Sequence, residues 1–336
     1  MNNTISYSVL DLATIIEGHA PAEAFSRSLD LARHAELWGY KRFWLAEHHN
    51  MISVASSATS VLIGYIAGGT SNIRVGSGGI MLPNHAPLVV AEQFGTLASL
   101  YPGRIDLGLG RAPGSDQATA LEIRGQNFYR DHNFPGDVQK LQTFFSSENA
   151  NAKVRAIPGE GLDIPIWILG SSTDSARVAA AMGLPYAFAS HFAPTYFLEA
   201  INIYRNNFKP SKHLAAPYIT ACINVIAADT DQEAERLATS LKNMFLGIIT
   251  GRRKPLQPPT DQINWLPQEA EAVNQMLTYA FVGGPNKLRA ELGTFLEISG
   301  VNELMATSHI FDQASRLYSY ELFAKTINEL NLVQQV

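Results

Sequence analysis

Between Arg74 and Pro113 the chain reads RVGSGGIMLPNHAPLVVAEQFGTLASLYPGRIDLGLGRAP, and few folds accommodate this stretch. Val75–Met81 predicts a buried strand broken by glycine, Leu88–Leu100 a helix, and Arg104–Gly110 the next strand. Pro83, Pro87, Pro102 and Gly103 stand at the joints, where a missing N–H or a positive φ does least harm. A strand–helix–strand unit with short turns implies a parallel pair joined by a right-handed crossover. Both strands end in residues that ask for a reason. Gly76, Gly78 and Gly79 weaken a strand unless something must come close to its backbone. Arg111 places a fixed positive charge at the carboxyl end of the second strand, where parallel α/β folds hold their ligands. A flat ligand with a negative group suits both ends.

The remaining sequence repeats the alternation. Strands are predicted at Tyr7–Leu12, Phe43–Ala46, Ile164–Leu169, Tyr186–Ala189, Tyr218–Ala227 and Glu303–Thr307. Helices are predicted to open at Pro21, to span Ala55–Ala67, Val138–Phe145, Thr195–Asn206, Asp231–Phe245 and Asn286–Leu296, and to run from Gly170–Ser171–Ser172 through Met182. Asp229 or Thr230 is the expected cap of the Asp231 helix. Leu317, Tyr320, Ala324 and Ile327 mark a closing helix. Eight strands, nearly every one followed by a helix, predict an α/β fold. The expected form is a single (β/α)8 TIM barrel domain over residues 1–336, with insertions in the loops at its C-terminal face. An open doubly wound sheet is the alternative. The insertions are Pro113–Asn133 and Gly251–Pro267, and the second reads as a solvated loop. In a barrel, Asp11, Glu47–His49, Gly78–Gly79, Arg111, Ser171–Ser172, His191 and His309 would converge on one face.

Composition narrows the partners. The net charge is −5 with no block of like charge, which recommends neither nucleic acid nor a membrane surface. A single cysteine, Cys222, excludes an internal disulfide. The opening residues MNNTISYSVLDLA lack the basic start and apolar core of a signal peptide, and no apolar run reaches membrane-spanning length. A cytoplasmic location is expected.

Glu47–His48–His49 closes the second strand. Neighbouring strand residues point to opposite faces, so the two imidazoles do not share one metal, and no metal site is expected. One histidine faces the site and the other packs behind it. Gly170–Ser171–Ser172, with Ser175 one turn later, opens a helix whose free N–H groups and dipole suit a phosphate. Glycine and serine also open many helices as plain caps. Arg111 could reach the same phosphate or pair with a carboxylate. Arg104 lies at the opposite, stabilising end of its strand, and His85, His191 and His309 each admit a substrate contact or a packing role. There is no phosphate-binding Gly-x-x-x-x-Gly-Lys loop and no Gly-x-Ser-x-Gly elbow. Gly76–Gly79 lies inside a strand, so it is not a dinucleotide fingerprint.

WLAEHHN at 44–50, the Arg74–Gly114 stretch, ILGSSTDSARVAAAMGLPYAFAS at 168–190 and VGGP at 282–285 resemble the bacterial luciferase-like flavin monooxygenases. The resemblance is strongest to their single-chain, mostly uncharacterised group, and covers about Ser6 to Phe323. It implies a barrel holding reduced FMN, or the related deazaflavin coenzyme, on its C-terminal face. His48 is implied as the catalytic histidine, a general acid/base near the reactive edge of the flavin. Gly78–Gly79 is implied to be a cis peptide behind the ring, and Arg111, the backbone at Ser171 and Ser172, and the Ser175 hydroxyl to bind the phosphate. The implied chemistry oxygenates a small organic substrate with O2, with NAD(P)H electrons arriving through a separate flavin reductase. A homo-oligomer such as a dimer is expected, with no second subunit type. Luciferase itself carries a reactive cysteine before the phosphate-binding arginine, whereas Gly110 stands there in this chain. Light emission and long-chain aldehyde specificity therefore do not carry over. A deazaflavin-dependent dehydrogenase and a non-catalytic flavin-binding protein are the competing readings.

Overall fold

Eight parallel staves close on themselves to form a barrel in the computed structural model, which describes residues 4–112, 114–129 and 132–333. Pro113, at the start of the first insertion, lies outside them. The strands are β1 (Ser6–Asp11), β2 (Arg42–Leu45), β3 (Arg74–Ser77), β4 (Ile80–Met81), β5 (Ile105–Gly110), β6 (Ile166–Gly170), β7 (Tyr186–Phe188), β8 (Ile219–Ala227), β9 (Ala280–Gly283) and β10 (Glu303–Thr307). β10 pairs with both β1 and β8, which closes the ring and excludes the open sheet. β3 and β4 together make one stave, since both pair with β5.

The helices are α1 (Pro21–Leu37), α2 (Thr59–Gly68), α3 (Pro87–Leu100), α4 (Gln117–Arg124), α5 (Phe134–Phe145), α6 (Thr173–Met182), α7 (Phe197–Asn207), α8 (Asp231–Ile249), α9 (Pro267–Met276), α10 (Pro285–Ser299) and α11 (Gln313–Val333). Proline opens α1, α3, α9 and α10 at a position where its absent N–H has no intrahelical partner to lose. Of the two expected caps for α8, Thr230 does the work: its hydroxyl accepts from the Glu233 N–H at 3.2 Å.

Strand alternation sorts the side chains into two cores. Leu10, Trp44, Trp167, Cys222 and Met305 fill the barrel. Val9, Phe43, Leu45, Leu107, Ile168 and Phe188 point outward against the helices. Each such buried side chain contributes about 1.5–3 kcal/mol relative to exposure. The barrel floor holds an ionic cluster instead of a hydrophobic plug. Arg42 donates to Asp106 at 2.7 Å and to Glu303 at 2.8 Å, Arg74 joins Asp106, and Ser8 and Tyr218 donate to Glu303. Arg104 lies at this end too, its guanidinium donating to the carbonyls of Ile73, Ala67 and Thr70. Its structural reading holds.

Three departures from expectation matter at the other end. The third stave is interrupted: Val75 pairs with Ile105 and Ile80 with Leu109, so five steps on one strand oppose four on its neighbour. The extra residue is accommodated at Gly78–Gly79, whose peptide is cis. β9 was not expected. Tyr218 accepts from β7 and Asn224 donates to Tyr279, so β9 takes the edge of β8 that β7 leaves. Finally, the Gly251–Pro267 connection is not merely solvated. Leu256 is buried, its N–H donates to the Ile15 carbonyl at 2.8 Å, and its own carbonyl accepts from Glu17 at 2.9 Å. Polar composition conceals this anchor because a single leucine supplies it.

Candidate active site

The C-terminal mouth divides into two chemically different halves. β5 and β6 supply cationic and N–H groups, whereas β2, β7, β8 and β10 supply imidazoles and an amide. Between them lies glycine backbone. A Cβ on Gly108 would lie 2.1 Å from the Ser77 carbonyl oxygen, and one on Gly79 would lie 2.8 Å from that of Gly108. Only glycine lets these staves approach so closely, with Leu10, Trp44 and Leu169 packed against them. Gly110 is explained in the same way. A side chain there would meet the Met81 sulfur at 2.8 Å, so a cysteine would require Met81 to move.

On the first half, Ser172 is the N-cap of α6, but its hydroxyl caps nothing. The first N–H groups of that helix therefore have no side-chain acceptor and remain available to an anion. Arg111 arrives from the end of β5, with its guanidinium 3.7 Å from Asp174 in the first turn of α6. Both side chains are more than half exposed, so the pair is weak and leaves the arginine free to turn to a better anion. Arg177 also reaches this turn, donating to Thr173 at 3.0 Å and to Asp174 at 3.4 Å. Ser175 behaves differently from its neighbours. It is buried, its hydroxyl donates to the Ser172 carbonyl at 2.6 Å and lies 2.9 Å from the Tyr186 hydroxyl. Its proton is thus engaged in bracing the turn.

On the second half, Arg42, Trp44 and Ala46 face the barrel interior, and the same alternation turns His48 inward. His48 Nδ1 lies 3.3 Å from the Gly114 carbonyl. A carbonyl can only accept, so Nδ1 carries the proton and Nε2 presents a lone pair. Burial lowers the His48 pKa below its ordinary 6.5, against the raising effects of Gly114 and Glu47. The ring is neutral at neutral pH. His49 turns the other way, its Nε2 2.9 Å from Glu47.

Glu47 is the hub behind the site. It is 1% exposed and accepts from the Met81 N–H at 2.9 Å, while His85 Nε2 lies 2.9 Å from it. Burial alone would raise its pKa, but His85, His49 and Met81 outweigh that and hold it below the usual carboxylate value. One carboxylate thereby ties the end of β2 to β4, on which the glycine floor rests.

His191 and His309 both lie at the mouth. Burial pushes His191 down to about 3, with His309 and His48 adding to the effect, and pushes His309 down to about 4. His309 has partners, with Thr14 Oγ1 at 3.4 Å and Thr307 Oγ1 at 3.3 Å. Asp11 does not join the site. It accepts from Arg316 of α11 at 2.8 Å, because inward-facing Ser8 and Leu10 place it on the outer face of β1. Among the described residues no group of three or more His, Cys, Asp or Glu side chains is arranged to hold a metal ion.

Comparison with known proteins identifies the family. The description "Luciferase-like monooxygenase" matches residues 6–303. The chain belongs to the luciferase-like monooxygenase family. It is 52% identical to a luciferase-like monooxygenase of Escherichia coli (strain K12), over 98% of this chain and 99% of that one. Identity is also 52% to the uncharacterised protein YvbT of Bacillus subtilis (strain 168), over 94% and 95% of the two chains. The solved structure of apo-MsnO8 superposes with a TM-score of 0.89 at 34% identity, covering 96% of this chain and 98% of that one. Family membership supports an oxidoreductase or monooxygenase activity. No helix among the described residues is long and apolar enough to cross a membrane.

Proposed function

We propose that this family member uses reduced FMN and O2 to oxygenate a small organic substrate, with a separate NAD(P)H-dependent reductase supplying the reduced flavin. The observation that carries the reading is the division of the mouth. Arg111 and the uncapped start of α6 at β5 and β6, the glycine backbone at β3 and β4, and the neutral His48 after β2 follow one another around the barrel in the order that would suit a phosphate, a flat ring and its reactive edge. The residues present fit FMN. Arg111 and the amides at Ser171 and Ser172 would hold the phosphate, Gly78 and Gly79 would face the ring, and Ser175 would keep the turn in shape. Reduced flavin supplies the electrons with which one atom of O2 enters the substrate while the other leaves as water.

The protein's own part is positional and protonic. Glu47 fixes β2 against β4, which sets His48 over the floor. The Gly114 carbonyl fixes its tautomer, so Nε2 takes a proton from the reacting group and returns it as product forms. The Leu256 anchor holds the second insertion against the loop after β1.

Purified protein should be incubated separately with FMN and with the deazaflavin coenzyme, each in reduced form, and followed by visible absorption, O2 consumption and product detection. The reading expects FMN binding and oxygenated product in step with O2 uptake. Hydride transfer from the deazaflavin without O2 uptake would establish the dehydrogenase instead. FMN binding without turnover of any organic acceptor would leave a flavin-binding protein.

A further inference from the structure

Buried polar groups are almost always paired, and an unpaired acceptor forfeits a hydrogen bond it had in water. Two such groups occur together at the top of β7 and β8, on the half of the mouth away from Arg111. Asn224 is 1% exposed and follows Cys222 on the inward face of β8. Its Nδ2 donates to the His191 carbonyl at 2.6 Å. That bond settles the orientation of the amide: nitrogen toward His191, and Oδ1 turned away without a partner. The His191 Nδ1 is also buried without a partner. This arrangement is held firmly. The Ser190 hydroxyl donates to the Cys222 carbonyl, and the Asn224 N–H donates to Tyr279 on β9's approach, so β7, β8 and β9 all fix these two residues.

We infer that Asn224 Oδ1, joined by His191 Nδ1 in the tautomer that leaves that nitrogen unprotonated, forms the subsite that selects the organic substrate, by accepting a hydrogen bond from an uncharged N–H or O–H group such as a secondary amide or an alcohol. The inference rests on the proposed function for taking the mouth as the site of reaction. The chemistry of the wall disfavours a carboxylate there. Asn224 Oδ1 only accepts, and would face a like partial charge. His191 and His309 are neutral, since burial holds both below the physiological range. Arg316, behind His309, is engaged by Asp11 and by the Ser308 carbonyl. A ligand that offers a proton satisfies the wall, whereas one that cannot leaves it unpaired. Discrimination by a missing donor is the form of selectivity that such sites supply best.

N-methylpentanamide and methyl pentanoate differ only in N–H against O, and pentanoate supplies the anion. Each is titrated by ligand-observed NMR into FMN-incubated wild type and into Asn224→Leu and His191→Phe. FMN affinity of all three proteins is measured in parallel. Wild type should bind the amide about tenfold more tightly than the ester, with pentanoate weaker still. Asn224→Leu and His191→Phe should each shrink the amide-to-ester ratio toward one while FMN affinity stays within about twofold of wild type. Equal binding of amide and ester by wild type overturns the subsite without recourse to any variant. A tenfold loss of FMN affinity in Asn224→Leu that retains the wild-type circular dichroism also overturns it, because the wall then serves the flavin edge. Failure of wild type to bind FMN counts separately against the proposed function.

Discussion

Replacing His48 by Asn removes Nε2, the nitrogen of this ring that does not face the Gly114 carbonyl, and little else. Asn can still donate to the Gly114 carbonyl, as Nδ1 does at 3.3 Å, so at most one hydrogen bond of about 1 kcal/mol is at risk in the fold. The ring it replaces is neutral at pH 7, so no charge is lost and the flavin meets an unchanged field. What disappears is the proton transfer at Nε2, a contribution of about 10²–10⁴ in turnover, equivalent to roughly 3–5 kcal/mol of barrier. The assay is product formation with a flavin reductase present, with released peroxide quantified separately so that uncoupled O2 use is not counted. In wild type, turnover should stay level through neutral pH and fall only as acid protonates Nε2, below the ordinary histidine value of 6.5, because burial disfavours the charged ring. His48→Asn should lack that acid limb. Normal turnover by His48→Asn, or an unchanged pH profile, would refute the role derived from the Gly114 contact.

Two further perturbations separate structure from chemistry. Glu47→Gln should lower stability by about 1.5–3 kcal/mol, because the Met81 N–H would face an amide nitrogen and both imidazoles would lose a charged acceptor. Its carboxyl pKa is depressed in the fold. The wild-type contribution is therefore present above about 4.5 and lost as pH falls through the folded value, so Glu47→Gln should flatten acid denaturation in urea titrations. His49→Asn, which touches only the outer side of Glu47, should act on stability and leave kcat near wild type. Asp106→Asn breaks a buried ion cluster at a cost of about 3–5 kcal/mol, seen as a Tm drop of roughly 4–7 °C at this chain length. FMN affinity should not change with it, since the cluster lies at the opposite end of the barrel.

The barrel was legible because its signals are local. Apolar runs such as Phe43–Ala46 and Ile164–Leu169, separated by helical stripes and proline openings, recur in sequence order. Alternation told only that one of the two histidines after β2 turns inward; the family resemblance, not the spacing, selected His48. The glycines announced a close approach, which the Ser77 and Gly108 carbonyls supply. What remained hidden is held by partners remote in sequence. Glu47 meets His85 across 38 residues, and Thr14 meets His309 across 295, with no periodicity to connect them. β9 is four residues long and merges with a helical pattern on both sides. Asn224 drew no notice in a largely apolar strand; only its bond to His191 shows that its oxygen points elsewhere. Ser175 shows the converse. Its position was read from the sequence, but its hydroxyl proton is engaged by Ser172.

The central claim is that the mouth of β5 and β6 receives the phosphate of FMN, and it is tested most directly by titrating FMN and riboflavin into wild type and Arg111→Ala. A charge-assisted hydrogen bond is worth about 1.5–3 kcal/mol, so Arg111→Ala should weaken FMN binding by roughly ten- to a hundredfold. Riboflavin, which has the ring and no phosphate, should bind both proteins alike. Equal losses for the two ligands, or none for either, would contradict the placement of the phosphate at Arg111 and the start of α6.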